Sequence, residues 1–85
     1  MPLPIGIEVE GDNTCSVMHV DGDINWETSS EVRAAILEVM NSCGERVVVD
    51  LKGVTHIDKV GASVLVRAFD EAEKRNIDFL LTGLN

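Results

Sequence analysis

A run of apolar residues near the middle of the chain constrains the fold more than any other feature. Residues 47–51 read Val-Val-Val-Asp-Leu, a β-branched stretch with one polar interruption. This pattern is typical of a strand that is buried on both faces and paired in parallel. Parallel neighbours need crossover connections, usually helices. Because 85 residues support a single hydrophobic core, the sequence predicts one α/β domain over residues 1–85, with this strand at the centre of its sheet.

Two helical patterns flank the central strand. Apolar residues at positions 32, 35, 36, 39 and 40 form one stripe, and Thr-Ser-Ser-Glu at 28–31 matches a capping box at the start of such a helix. After the central strand, Asp58 can cap a second helix that runs to about Arg75, with apolar residues at 64, 65, 68, 69 and 72. The sequence therefore predicts one helix before the central strand and one helix after it along the chain.

Strand-like segments complete the pattern. Residues 3–10 and 14–20 are joined by Gly-Asp-Asn and predict an N-terminal hairpin. A further short strand precedes the first helix, and residues 77–81 form the last strand. The predicted fold class is therefore α/β, a mixed sheet in which an N-terminal hairpin leads into a parallel βαβαβ unit with two main helices.

The acidic charge excludes several functions. The formal net charge is −8, and the seven Lys and Arg residues are scattered along the chain. Nucleic acids and anionic membrane surfaces bind to clustered basic residues, so neither is a predicted partner. Cys15 and Cys43 lack redox or metal-ligand spacing, and no apolar run approaches the roughly 20 residues of a membrane span. We expect a cytoplasmic domain with reduced thiols.

The motifs indicate no chemical site. His19 and His56 stand apart from other metal-ligating residues, so no metal site is predicted. The sequence contains no P-loop, no dinucleotide-binding glycine turn and no set of nucleophile and base. It predicts neither a cofactor nor an enzyme activity.

The order of several landmarks resembles the STAS family, the fold shared by bacterial anti-sigma factor antagonists and by the cytosolic domains of sulfate-permease-type transporters. These landmarks are Gly-Asp-Ile-Asn at 22–25, the strand at 47–51, Gly-Val-Thr-His-Ile-Asp at 53–58, Gly61 and Leu-Leu-Thr-Gly-Leu-Asn at 80–85. The resemblance implies a STAS-like mixed sheet and a non-catalytic module that binds a regulatory protein, such as an anti-sigma-factor-like kinase.

The resemblance also implies a missing element. Family members end, as a rule, with a further helix after the segment that corresponds to residues 82–85, and this C-terminal helix is absent here. Since two helices must then cover a sheet whose central strands carry apolar residues on both faces, we expect an exposed apolar patch. Such patches usually mark an interface, and we expect a homodimer through the uncovered sheet face.

The loop before the second helix departs from the family pattern. In the antagonists this loop looks like Asp-Ser-Ser-Gly, and its first Ser is phosphorylated by the partner kinase. Here residues 58–61 read Asp-Lys-Val-Gly, so the resemblance implies that Lys59 replaces the phosphoacceptor and carries a permanent positive charge. Thr55 and Ser63 are the nearby hydroxyls that remain as alternative acceptors.

The expected partner-binding surface combines the segment before the first helix with the segment around the start of the second. Its residues are Gly22, Asp23, Ile24, Asn25, Trp26, Thr55, His56, Asp58, Lys59, Val60, Gly61 and Ser63. Two other functions stay open. The chain can be a cytosolic domain or subunit of a sulfate-permease-type or lipid-asymmetry ABC transporter, which residues 80–85 favour. It can also be an anion or nucleotide sensor that uses Lys59 at the helix start.

Overall fold

The structure, a computed structural model, describes residues 5–12, 14–42 and 44–83. Predictions that involve Leu3, Asn13, Cys43 or residues 84–85 therefore lie, in whole or in part, outside the described residues. The described elements are β1 (Ile5–Gly11), β2 (Cys15–Ile24), α1 (Ser29–Ser42), β3 (Arg46–Ile57), α2 (Lys59–Lys74) and β4 (Asp78–Thr82).

The four strands form one mixed sheet in the order β1-β2-β3-β4. The pair β1 and β2 is antiparallel, whereas β2 with β3 and β3 with β4 are parallel. This arrangement confirms the predicted α/β fold, with its N-terminal hairpin followed by a parallel βαβαβ unit. The strand at 47–51 is central, as expected.

The separate short strand before the first helix was a wrong prediction. Strand β2 continues without a break to Ile24, because its last residues pair in parallel with the second half of β3, from Gly53 to Ile57. Two register shifts accommodate this extension, and Gly22 between them has a φ of 106°, a conformation that favours glycine. The extended strands carry the chain to the end of the sheet at which both helices begin.

The two helices begin in different ways. Helix α2 starts after Asp58, whose side chain accepts a hydrogen bond from the amide of Gly61, as predicted. The capping box at Thr28 was a wrong prediction, because the Thr28 hydroxyl accepts from the amide of Asn25 and donates to the carbonyl of Asp23. It therefore holds the loop that leads into α1.

Both helices pack on one face of the sheet. The core consists of the inward residues of β2, β3 and β4 and the apolar stripes of the helices. Its buried members are Met18, Val20, Ile24, Val32, Ile36, Val39, Met40, Val47, Val49, Leu51, Leu65, Ala68, Ala72, Ile77 and Phe79. Neither helix of the described ranges is long and apolar enough to span a bilayer.

The opposite face of the sheet, called here the open face, is less apolar than expected. Val17, Val48 and Leu80 form one apolar row across three strands, but the next row contains His19 and Asp50. The expectation of apolar central strands on both faces was therefore only partly right, since the alternation of side chains along β2 and β3 places polar groups on the open face.

His19 links three strands on the open face. Its Nδ1 lies 2.8 Å from Oδ2 of Asp50 on β3, and its Nε2 lies 3.0 Å from Oε1 of Glu10 on β1. The hydrogen bonds to Glu10 and then to Asp50 raise the pKa of His19. The amide of Lys52 and then the His19 ring lower the pKa of Asp50.

Candidate functional site

The carboxyl ends of β2 and β3 lie side by side, because the two strands are parallel. Asp23 pairs with His56 and Ile24 with Ile57 at the last rungs of the ladder, and the Thr55 hydroxyl donates a hydrogen bond to a carboxylate oxygen of Asp23. The two segments that the sequence analysis combined into one surface are therefore adjacent. In open parallel sheets this end is where binding sites usually form.

Asp58 fastens the two segments to each other. Its amide donates to the carbonyl of Ile24 at 3.1 Å, and its side-chain Oδ1 accepts from the amide of Gly61 at 2.8 Å. The second carboxylate oxygen accepts from the amide of Trp26 at 3.1 Å. One carboxylate thus caps α2 and also holds the loop before α1 against the start of α2.

Gly61 allows helix α2 to approach the end of β2 closely. A Cβ at this position would lie 2.4 Å from the carbonyl oxygen of Ile24 and 2.7 Å from its Cγ2. These separations are far below a normal contact of about 3.5 Å, so the position excludes every side chain unless the backbone moves. The landmark glycine of the sequence is therefore explained by packing.

The loop between β2 and α1 is held by its own side chains. Asn25 Oδ1 accepts from the amides of Glu27 and Thr28 at 2.9 and 3.1 Å, which forms a local turn of the kind that Asn favours. Ser29 Oγ donates to the carbonyl of Trp26. Together with the buried Thr28, these contacts fix the backbone from which the Trp26 side chain projects.

The exposed part of this region carries a mixed apolar and basic character. The Trp26 side chain is 70% exposed and Val60 is 45% exposed, and Lys59, the first residue of α2, is also exposed. Lys59 forms no ion pair with any residue in the described ranges. We call the exposed set the α2 N-terminal surface; it comprises Trp26, Thr55, His56, Lys59, Val60 and Ser63.

The other expected site residues have supporting positions. Ile24 is 0% exposed and Gly61 is buried beneath the helix start, so these two were wrongly placed on the surface, because the strand end and α2 pack directly on each other. Gly22, Asp23, Asn25 and Asp58 are partly buried. The sequence does not predict the role of Thr28, whose hydroxyl connects the backbones of Asn25 and Asp23. A cluster of hydroxyls before a helix predicts capping instead.

Comparisons with known proteins agree with this architecture. The family profile of the STAS domain matches residues 6–85, whereas a search of curated protein sequences found no match. Among solved structures, an anti-sigma factor antagonist from Mycobacterium paratuberculosis is 27% identical, with a TM-score of 0.80 over 91% of this chain and 65% of that chain.

Two further structures share the fold at lower identity. The anti-sigma factor antagonist SpoIIAA of Bacillus, solved in unphosphorylated and phosphorylated forms, is 13% identical, with a TM-score of 0.78 over 94% of this chain and 74% of that chain in its unphosphorylated form. A sulfate transporter family protein from Wolinella succinogenes is 20% identical, with a TM-score of 0.70 over 84% of this chain and 57% of that chain.

Eight similar solved chains are longer than this one, which spans between 18% and 86% of their length. The shared part is therefore a domain, and the activities of those whole proteins do not follow from it. The matched residues include both strand ends and the entire start of α2, the region that the geometry singles out. On the profile match and the shared fold, the chain belongs to the STAS domain family.

Proposed function

We propose that this chain is a non-catalytic interaction module that binds a regulatory protein, of the anti-sigma-factor-like kinase class, through the α2 N-terminal surface. The observation that carries the proposal is the exposed Trp26, whose backbone amide donates to the side chain of Asp58, the residue directly before Lys59 and the exposed Val60. Tryptophan is enriched among the residues that dominate binding energy at interfaces. A Trp that is 70% exposed on a fixed loop is suited to act as such an anchor.

The charge of Lys59 indicates the chemistry of the partner. A cation in the first turn of a helix opposes the helix dipole by about 0.3–1 kcal/mol, and both carboxylate oxygens of the neighbouring Asp58 are engaged by backbone amides. Within the described part of the chain no acidic side chain pairs with Lys59. An acidic group of the partner would offset this unfavourable charge.

Lys59 stands where the antagonists of the family carry the Ser that their partner kinase phosphorylates, so this chain is proposed to lack that switch. Lys59 has no hydroxyl, and the hydroxyls closest in sequence are engaged, since Ser63 donates to the carbonyl of Lys59 and Thr55 donates to Asp23. A phosphate on Thr55 would face the carboxylate of Asp23, and like charges repel. The module is therefore proposed to bind constitutively, with its effect set by its concentration.

The geometry argues against the anion or nucleotide sensor. A helix start binds an anion through its free backbone amides, but the amide of Gly61 is occupied by Asp58 Oδ1 at 2.8 Å. The carboxylate of Asp58 already supplies the negative charge that this helix start favours. A phosphate would have to displace it.

Affinity capture with matched variants tests the proposal. The wild-type domain, Lys59→Glu and Trp26→Ala are immobilised at equal density and exposed to native lysate, and the captured proteins are identified by mass spectrometry. Lys52→Glu, which reverses an exposed lysine outside the α2 N-terminal surface, serves as the charge control. We expect a regulator or kinase that the wild type and Lys52→Glu capture and that the two surface variants lose.

A transporter role is the second candidate, favoured by the shared fold with the sulfate transporter family protein and by the absence of a hydroxyl at position 59. Capture of a permease or ABC subunit in the same experiment would contradict the regulatory role and support a role in transport. Equal capture by all four proteins would contradict the proposed surface. If neither wild type nor control captures any protein above the background of the bare matrix, the interaction role itself fails.

A further inference from the structure

The two edges of the sheet differ in how they are protected. Strand β1, at one edge, carries Glu8 and Glu10, and charged side chains discourage pairing with another strand. Strand β4, at the other edge, contains an uncharged run of Phe79, Leu80 and Leu81. Within the described residues β4 pairs only with β3, so its outer edge is unpaired in this part of the chain.

The backbone groups at the outer edge of β4 can be assigned from its ladder. The amide of Asp78 donates to the carbonyl of Glu45 at 2.9 Å, on the side of β3. Successive residues of a strand direct their amide and carbonyl groups to opposite sides, so Phe79 and Leu81 present theirs away from β3. Two donors and two acceptors therefore line the free edge.

Apolar side chains lie on both faces beside this edge. On the helix side, Phe69 of α2 contacts Phe79 edge to face at 6.5 Å between ring centroids and remains 47% exposed. Val66, one turn earlier on α2, and Leu81 are also exposed. On the open face, Leu80 is 46% exposed. The strand edge is thus bordered by apolar side chains on both the helix side and the open face of the sheet.

We infer that β4 pairs with β4 of a second copy of this chain, antiparallel and with Leu80 on the twofold axis. This register places Phe79 of each copy opposite Leu81 of the other, so that the four outward backbone groups of each strand all find partners. Asp78 then lies opposite Thr82 rather than opposite another carboxylate. The twofold axis is perpendicular to the sheet, so both α2 helices lie on the same face and their Phe69 and Val66 side chains meet across the junction.

This contact differs from a dimer through the open face. The open face carries Glu10, His19, Asp50 and Lys52, and two such faces would bring charged rows together. The strand edge avoids these groups and needs no change of fold. It is also independent of the α2 N-terminal surface, because it uses β4 and the later turns of α2.

The expected dimer is weak. The exposed apolar side chains beside the edge amount to roughly 300 Å² per copy, the size of an ordinary surface patch, whereas stable interfaces bury about 1,200 Å² or more in total. Two copies with a net charge of −8 each also repel. We expect a dissociation constant on the order of 0.1–1 mM, and because salt screens the repulsion, the dimer should become tighter as salt increases.

Sedimentation velocity and amide exchange test the pairing on the purified chain. Wild type is measured from about 0.02 to 1 mM, at about 0.05 and 0.5 M NaCl. Leu80→Lys places two cations opposite each other, and Leu81→Pro removes an outward amide while leaving the pairing with β3 intact. Each should weaken dimerisation at least tenfold. Val9→Lys, at an exposed position on the other edge strand, should leave it unchanged.

The outcomes separate the alternatives. Slower exchange of the Phe79 and Leu81 amides with increasing wild-type concentration would support the register, provided that the concentration dependence of the Phe79 amide is lost in Leu81→Pro, which has no amide at position 81. A wild-type chain that stays monomeric at 1 mM in high salt would overturn the inference. So would a dimer that Val9→Lys abolishes while Leu80→Lys preserves it, because the contact would then involve β1. Circular dichroism of each variant confirms that a loss of association does not reflect unfolding.

Discussion

Replacing Gly61 by Ala gives the most direct test of the close packing between the start of α2 and the end of β2. Helix propensity alone favours the change by about 1 kcal/mol. If α2 made no tertiary contact at this position, Gly61→Ala would therefore make the protein more stable. The added Cβ would lie 2.4 Å from the carbonyl oxygen of Ile24, and a normal contact needs about 3.5 Å. The helix start and the end of β2 would therefore have to separate by about 1 Å.

The expected cost follows from the nature of the obstructing atom. Overpacking costs about 1–3 kcal/mol, and the upper value applies here because the Ile24 carbonyl is backbone and already accepts from the Asp58 amide. After the gain in propensity, Gly61→Ala should lower the free energy of unfolding by about 2 kcal/mol, or the melting temperature by about 8–16 °C.

Urea unfolding followed by far-UV circular dichroism measures this effect, with Ala62→Gly as the matched control. Ala62 is exposed on the same turn, so Ala62→Gly reports propensity and should cost up to about 1 kcal/mol. The structure thus predicts that both substitutions destabilise. If Gly61→Ala instead stabilised the protein by about the amount that Ala62→Gly destabilised it, propensity would explain both changes and the close approach would be refuted.

Two further predictions concern polar groups. Because the folded pKa of His19 is raised, the positive charge in its bonds to Glu10 and Asp50 adds stability below the ordinary His pKa of about 6.5, and this added stability is lost as the pH rises through the folded value. The stability gap between wild type and His19→Gln in urea should therefore be larger at acidic than at alkaline pH, and a constant gap would contradict the role of the charge. Thr28→Val leaves the Asn25 amide and the Asp23 carbonyl without their hydroxyl partner and should cost about 1–3 kcal/mol, whereas Thr28→Ser should recover most of this by the same measurement.

The parts of the fold that the sequence predicted rest on local signals. Helix α2 is an example, since its cap depends on Asp58 and on the Gly61 amide three residues later, and both lie within one turn. The central strand was equally clear because β-branched residues follow one another from position 47. The resemblance to the family predicted the order of these elements and a binding surface at the start of α2.

The parts that the sequence did not predict depend on pairing between distant segments. Asp21, Gly22 and Asp23 have low strand propensity, yet they belong to β2 because the end of β3 lies beside them. The open face is less apolar than the strand patterns predict, because the bonds from His19 to Glu10 and Asp50 exist only in the observed register. A shift of one residue would place these polar groups in the core.

The dual role of Asp58 connects the fold to the proposed binding surface. Its two carboxylate oxygens serve different purposes, one capping α2 through Gly61 and the other holding the loop through the Trp26 amide. Asn is as good a cap as Asp, but its side chain offers one oxygen, and its amide group would face the Trp26 amide as a second donor. Asp58→Asn therefore separates the two roles, whereas Asp58→Ala removes both.

We expect Asp58→Ala to lower the free energy of unfolding by about 1–2 kcal/mol and Asp58→Asn to lower it clearly less. Both variants should increase the mobility of the Trp26 amide, as measured by ¹⁵N relaxation. A loop that is already ordered avoids the entropy cost of immobilisation on binding, so Asp58→Asn should weaken binding of a captured partner although Trp26, Val60 and Lys59 are unchanged. If Asp58→Asn left both the Trp26 amide and partner binding as in wild type, the anchor would not depend on this carboxylate, and the exposed side chains alone would account for recognition.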